Sequence, residues 1–152
     1  MQLTELLSPE RIKIPLTATT KDEILAELVE VVGRNGSIRN LDEVLRSVRE
    51  REEVLSTGIG SGVAIPHGKS PAVSDLYLVA GVKPEGVDFD ALDGKAVNLF
   101  FLLVGPESAA GQHVKALSRI SRLLRRDSFR IRLTEATTPE QFYEIIAEAE
   151  EA

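Results

Sequence analysis

The sequence predicts one mixed α/β domain, and three observations carry that reading. The chain has 152 residues, enough for one domain of ordinary size with little room for a second. Its apolar periodicity is helical towards both ends and strand-like in the middle. No repeat, low-complexity tract or linker interrupts residues 1–152.

The first helix is expected after Thr20. Thr20 and Glu23 form a Thr-x-x-Glu capping box, in which hydroxyl and carboxylate satisfy free backbone N–H groups. Ile24, Leu25, Leu28, Val31 and Val32 then share one helical face, and Gly33 with the Asn35-Gly36 pair is expected to end it. A second helix begins near Asn40 with Leu41, Val44, Leu45 and Val48 as its apolar stripe, and decays in the charged run Arg49 to Glu53. Arg51 lies about 70° from the centre of that stripe at roughly 100° per residue. That places it neither clearly in solvent nor clearly in the core.

The period then changes. Ser56 to Gly62, STGIGSG, reads as a glycine-rich turn leading into a short strand, Val63-Ala64-Ile65, which Pro66 must stop or kink. Leu76 to Val82 and Val97 to Val104 are of strand length. The second is apolar at nearly every position, the pattern of a central strand covered on both faces. Between them, Pro84-Glu85-Gly86 and Asp93-Gly94 are turn signals.

The last third is helical. From Gln112 to Arg126, Ala116, Leu117, Ile120, Leu123 and Leu124 fill one face, with Lys115, Arg119, Arg122 and Arg126 on the other. A short helix is expected from Ser128 to Ala136. The final one starts at Thr138, with Pro139 at its first position, Gln141 completing the cap, and Phe142, Ile145, Ile146 and Ala149 facing inward.

Composition excludes several function classes. The 18 basic against 24 acidic residues give a formal net charge of −6, which argues against bulk nucleic-acid binding. With no Cys, disulfides, thiol catalysis and Cys-based zinc sites are out. The longest apolar run, Leu99 to Val104, has six residues where a membrane span needs about 20. Glu5 stands where a signal peptide would place its basic and apolar segments, so the expected compartment is the cytoplasm.

Common chemical motifs fail on detail. In Gly58-Ile59-Gly60-Ser61-Gly62, Val63 occupies the place of the third glycine of a dinucleotide fingerprint, and no helix follows. Gly68-Lys69-Ser70 resembles the end of a phosphate-binding loop, but Gly62 is one residue too far upstream and Pro66 and Pro71 prevent the loop-to-helix run. Ser61 lacks the glycines of a nucleophile elbow. The two histidines, 46 residues apart, have no metal-ligand spacing.

His67 lies between Pro66 and Gly68 at a strand end. Rigid presentation with open access suits a nucleophilic imidazole, and an exposed loop histidine with no task is the other reading. His113 falls on the apolar side of its helix, either as a half-buried structural histidine or as the edge of a site. Between Lys115 and Arg132 stand seven basic residues and one acid, while Leu133 to Ala152 holds six acids and no base. Solvation, helix-dipole compensation and intramolecular pairing all fit that pattern.

The segment Ser56 to Lys69, STGIGSGVAIPHGK, resembles the active-site segment of the enzyme IIA domain of the bacterial phosphoenolpyruvate-dependent sugar phosphotransferase system, in its fructose, mannitol and nitrogen-regulatory branch. The resemblance continues through VDFDALDGKAVNLFFLLVGPE, then GQHVKALSRISRLL and TPEQFYEII, and so covers essentially the whole chain in order. It implies one α/β domain with a mixed five-stranded sheet and helices on both faces. It also implies that His67 accepts a phosphoryl group from phospho-HPr and passes it to a cysteine of an enzyme IIB domain. The family's second active-site histidine matches His113, and its active-site arginine matches Arg51.

An Arg51 guanidinium suits bidentate phosphate binding. His113 is expected to bond the phosphoryl oxygens or orient His67, and Thr57, Gly58 and Gly60 to bring backbone N–H groups near the same oxygens. Such a set needs no metal or other cofactor, because phosphoryl transfer asks mainly for positioning and charge stabilisation. Lacking Cys and a membrane span, the chain includes neither a phosphocysteine IIB nor a translocating IIC domain, so the acceptor is expected to be a separate protein. Two roles stay open: a carrier feeding a fructose-like transporter, or a nitrogen-related regulator whose His67 phosphorylation state controls binding to target proteins.

Overall fold

The computed structural model describes residues 2–35 and 38–151. Its strands are β1 (Ile12–Lys13), β2 (Gly58–Gly60), β3 (Val63–Ala64), β4 (His67–Lys69), β5 (Tyr77–Val87) and β6 (Val97–Gly105). Its α-helices are α1 (Lys21–Asn35), α2 (Leu41–Val54), α3 (Ala110–Leu123), α4 (Asp127–Glu135) and α5 (Pro139–Glu151). The predicted mixed α/β domain is found, with six strands in its sheet among the described residues where five were expected.

The long antiparallel hairpin β5–β6 is the sheet's centre. β1 runs parallel to β5, β3 and β4 run parallel to β6, and β2 closes the edge antiparallel to β3. Successive β6 side chains point to opposite faces, so Leu99, Phe101 and Leu103 enter the core under α3, α4 and α5 with Ile120, Leu133 and Phe142. Phe100, Leu102 and Val104 enter the other, under α1 and α2, with Ile24, Leu28, Val44 and Val48. This is the doubly covered central strand that the apolar run predicted.

The caps form where expected. The Thr20 hydroxyl accepts the Glu23 N–H at 3.3 Å and donates to the Glu23 carboxylate at 2.7 Å. The Asn40 side chain accepts the Glu43 N–H, and Thr138 Oγ1 the Gln141 N–H.

Four local expectations are corrected. Gly33 does not end α1, which runs to Asn35; the expected stop at Gly36 lies outside the described residues. STGIGSG holds β2 as well as a turn. Pro84-Glu85-Gly86 is not a turn between strands: β5 continues to Val87 across an irregularity in its register, with Gly86 at φ +80°. His67 does not simply follow a strand, because the chain re-enters the sheet at His67 as β4.

That re-entry sets the site. His67 pairs with Leu103, Gly68 with Val104 and Lys69 with Gly105. A Cβ on Gly68 would stand 3.1 Å from both Cγ2 and the backbone N of Val48, so glycine lets α2 pack directly on β4. Among the described residues no helix is long and apolar enough to cross a membrane.

Candidate active site

The site lies where the last turn of α2, the start of β4 and the first half of α3 converge. Pro66 separates two short pairings: its carbonyl accepts the Leu103 N–H at 3.0 Å, and the Ile65 N–H is given to the Thr57 carbonyl at 3.0 Å. The half-buried His67 ring then folds back so that Nδ1 stands 2.9 Å from the Ile65 carbonyl oxygen. A carbonyl only accepts, so Nδ1 carries the hydrogen and the Nε2 lone pair is left for chemistry.

Burial pushes the His67 pKa below the ordinary imidazole value. Its bond to Ile65 and the Glu52 charge oppose that shift, whereas the Arg51 and Lys69 charges add to it. The ring is therefore neutral at neutral pH, as a nucleophile must be.

His113 on α3 meets it edge-on, the ring centroids 5.6 Å apart and the planes at 72°. It is only 3% exposed, and neither ring nitrogen has a hydrogen-bond partner among the described residues. Burial, then the His67 and Lys69 charges, lower its pKa to about 4. Two neutral imidazoles thus face each other across 46 residues of sequence.

Arg51 projects from the last turn of α2, half-buried, with Nη1 donating to the Leu55 carbonyl at 2.9 Å. Its charge reaches His67, which resolves the ambiguous position it had on the helical wheel. Sequence reasoning missed Lys69 and Glu52. Lys69 is exposed two residues along β4, on the His67 side of the strand, and its charge reaches both imidazoles. Its signal was the i, i+2 spacing, which had no meaning until a strand was assigned there. Glu52 is buried and took its place in a charged run that read as a solvated helix end.

Of the N–H groups expected near the phosphoryl oxygens, those of Thr57 and Gly58 are engaged within the chain. The Thr57 N–H is committed to the Glu52 carboxylate at 2.8 Å, and its hydroxyl donates to the same group. The Gly58 N–H is given to Ser56 Oγ at 3.1 Å. Gly60, at φ +98°, lies beside Asp93, whose carboxylate already takes the next N–H, that of Ser61, at 3.1 Å. Thr57, Gly58 and Ser61 thus spend their N–H donors on the shape of the loop, because a tight turn satisfies its backbone locally.

A neutral imidazole, fixed at a strand end beside a guanidinium, an ammonium and a second imidazole, is an arrangement chemically suited to histidine-based group transfer, on a two-core α/β domain. The chain belongs to the family described as phosphoenolpyruvate-dependent sugar phosphotransferase system, EIIA 2, which it matches over residues 5–149. It is 37% identical over 151 residues to a nitrogen regulatory protein of Bradyrhizobium diazoefficiens, covering 97% of this chain and 95% of that one. It is 36% identical over 146 residues to the fructose-specific EIIABC component of Bacillus subtilis, covering 96% of this chain but 23% of that much longer one. The nitrogen regulatory protein IIA-Ntr of Neisseria meningitidis has the same fold, with TM-score 0.88, 32% identity, and 95% and 98% of the two chains covered. As a member of this family the protein is a phosphotransferase component, a carrier of phosphohistidine.

Proposed function

We propose that Nε2 of His67 is the phosphoryl acceptor, loaded by phospho-HPr and unloaded to a cysteine of a separate enzyme IIB component of a fructose-like transporter, in the cytoplasm. The carrying observation is the Nδ1 contact with the Ile65 carbonyl, which leaves Nε2 as the free nitrogen of a neutral ring. The Nε2 lone pair attacks phosphorus, the N–P bond of the donor breaks, and the donor's imidazole leaves with that electron pair. The Nδ1 proton stays on His67, held by Ile65. Arg51 offers its guanidinium to the phosphoryl oxygens, and His113 offers them one ring N–H from a nitrogen that has no other partner.

A carrier must separate from its partners, which favours a small docking surface. Ile59 and Val114, 48% and 63% exposed, are its apolar contacts, with charged residues at the rim. Val114 shares a surface concavity with Lys115, Arg119 and Arg122, so the basic face of α3 borders this surface, with Arg119 already paired to Glu150 at 2.6 Å. Incubation with phosphoenolpyruvate, enzyme I and HPr is expected to add one acid-labile phosphate to the wild type and none to His67→Gln. Retained phosphate in that variant would sink the assignment.

One observation favours a second reading. The nitrogen regulatory relative matches this chain over almost its entire length. In that reading the same phosphohistidine decides which target protein binds. Transfer of the label from the loaded protein to a IIB component supports the transport role; binding to a target that changes with phosphorylation and no such transfer supports the regulatory one.

A further inference from the structure

We propose that Glu52 is a positioning residue for the phosphoryl acceptor: its buried carboxylate anchors a hydrogen-bonded path through Thr57 and Ile65 that ends on Nδ1 of His67. The inference rests on His67 being the acceptor.

The path is continuous. Lys21 Nζ stands 2.9 Å from Glu52 Oε2, and that same oxygen accepts the Thr57 N–H at 2.8 Å. Glu52 Oε1 accepts the Thr57 hydroxyl. The Thr57 carbonyl then accepts the Ile65 N–H at 3.0 Å, and the Ile65 carbonyl takes the His67 Nδ1–H at 2.9 Å. Each step passes from the N–H of one peptide group to the C=O of the next. No single conjugated group carries polarisation from end to end, so the path transmits place rather than charge.

Placement is what the site requires. The residue after α2, Leu55, is already extended, at φ −163° and ψ 134°, so the chain leaves the helix without a glycine to close it. Arg51 and Glu52, adjacent on the last turn, close it instead: Arg51 grips Leu55 four residues on and Glu52 grips Thr57 five residues on. One helix end therefore fixes both the guanidinium and the strand-edge turn on which the Ile65 carbonyl depends. The tautomer of a histidine follows from the bond its other nitrogen makes, and a displaced carbonyl would release the Nδ1 hydrogen and with it the choice of nucleophilic nitrogen. The location of Lys21 points the same way. It is the first residue of α1, where a cation opposes the helix dipole, and its ammonium reaches Glu52 instead.

Two conservative variants separate reach from charge. Glu52→Asp keeps the charge but withdraws it by one methylene from Thr57. Glu52→Gln keeps the reach, accepting the Thr57 N–H through oxygen and donating to the Thr57 hydroxyl through its amide, but loses the charge. With folding checked by circular dichroism, Glu52→Asp is expected to take phosphate from phospho-HPr at least tenfold more slowly than wild type, and Glu52→Gln within about threefold. Nitrogen-15 spectra of the His67 ring are expected to show a fixed Nδ1–H tautomer in wild type and Glu52→Gln, and averaging between tautomers in Glu52→Asp. In Glu52→Gln the His67 titration moves further down, because the charges still facing the ring, Arg51 from α2 and Lys69 from β4, are positive and His113 from α3 is neutral.

The reverse order of rates, Asp near wild type and Gln slow, overturns the proposal in favour of a purely electrostatic role. Unchanged His67 ring spectra in Glu52→Asp overturn it in favour of a fold-stabilising anchor. The ring spectra need no donor. A wild type that takes no phosphate from HPr, with its ring fixed and that of Glu52→Asp averaged, refutes the function proposed for His67 while supporting the positioning by Glu52.

Discussion

Glu27 on α1 and Glu52 on α2 are buried carboxylates with nearly the same neighbours. Glu27 accepts the Thr17 N–H at 2.9 Å, the Thr17 hydroxyl at 3.0 Å and the Ala18 N–H at 2.8 Å, and pairs with Lys13 at 2.7 Å. Glu52 accepts the N–H and hydroxyl of Thr57 and pairs with Lys21. The constellation of glutamate, threonine and lysine is the same, but what each threonine is joined to differs. Thr17 follows Leu16, whose N–H bonds the Val82 carbonyl and whose side chain lies over Gly81, so the Glu27 set ties the connection between β1 and α1 onto the sheet. Thr57 leads through Ile65 to the His67 ring. A buried ionic cluster thus has no role of its own; the segment it immobilises confers one.

The contrast breaks most visibly in stability. Glu27→Ala strands Lys13 and three donors, and is expected to cost about 4 kcal/mol in urea unfolding, within the range for breaking a buried pair. Its rate of phosphorylation per folded molecule is expected to stay within twofold of wild type. A tenfold loss would mean that both carboxylates serve the site.

Acid separates the two regions by pH. The His113 pKa is lowered from the usual 6.5 to about 4, so the folded state resists binding a proton that the unfolded chain accepts. Stability from this source is complete above about pH 6.5 and is lost as the pH falls towards 4, by up to about 3 kcal/mol. His67 contributes in the same direction. Burial raises the Glu27 pKa, but Lys13, Thr17 and Ala18 outweigh it and hold the carboxyl below its ordinary value. Its contribution is therefore present above about pH 4.5 and lost only below it. His113→Phe is expected to remove most of the upper phase from a plot of unfolding free energy against pH and leave the lower one. Survival of the upper phase in full would contradict the burial of a neutral His113.

The smallest expected effect is on the barrier alone. Arg51→Lys keeps the charge at the end of α2 but loses the planar fork, so phosphoryl transfer is expected to slow roughly tenfold, about 1.4 kcal/mol. Thermal unfolding should be unchanged, since Arg51 bonds a carbonyl at an exposed helix end. An unchanged rate would leave Arg51 as a helix-terminating residue and Glu52 as the functional member of the pair.

What the sequence determined by itself is what short-range chemistry encodes. Thr20, Asn40 and Thr138 announce their helices because a cap is satisfied within three residues. The run Leu99 to Val104 announces a strand buried on both faces because each residue contributes one side chain to one core. His67 was legible as a candidate between Pro66 and Gly68, and the order of motifs along the chain pointed to the family. Tertiary structure decided the rest. Strands of two or three residues, such as β1 and β4, have no readable period and exist only because β5 and β6 offer a free edge at the right register. The meeting of His67 with His113 depends on that register and on the packing of α3. Glu52 looked like one more charge on a solvated helix end, and only the return of Thr57 beneath it made it a buried anchor. Periodicity reports which way a side chain faces, but a site is a set of distances between segments remote in sequence, and those are fixed by long-range pairing and packing.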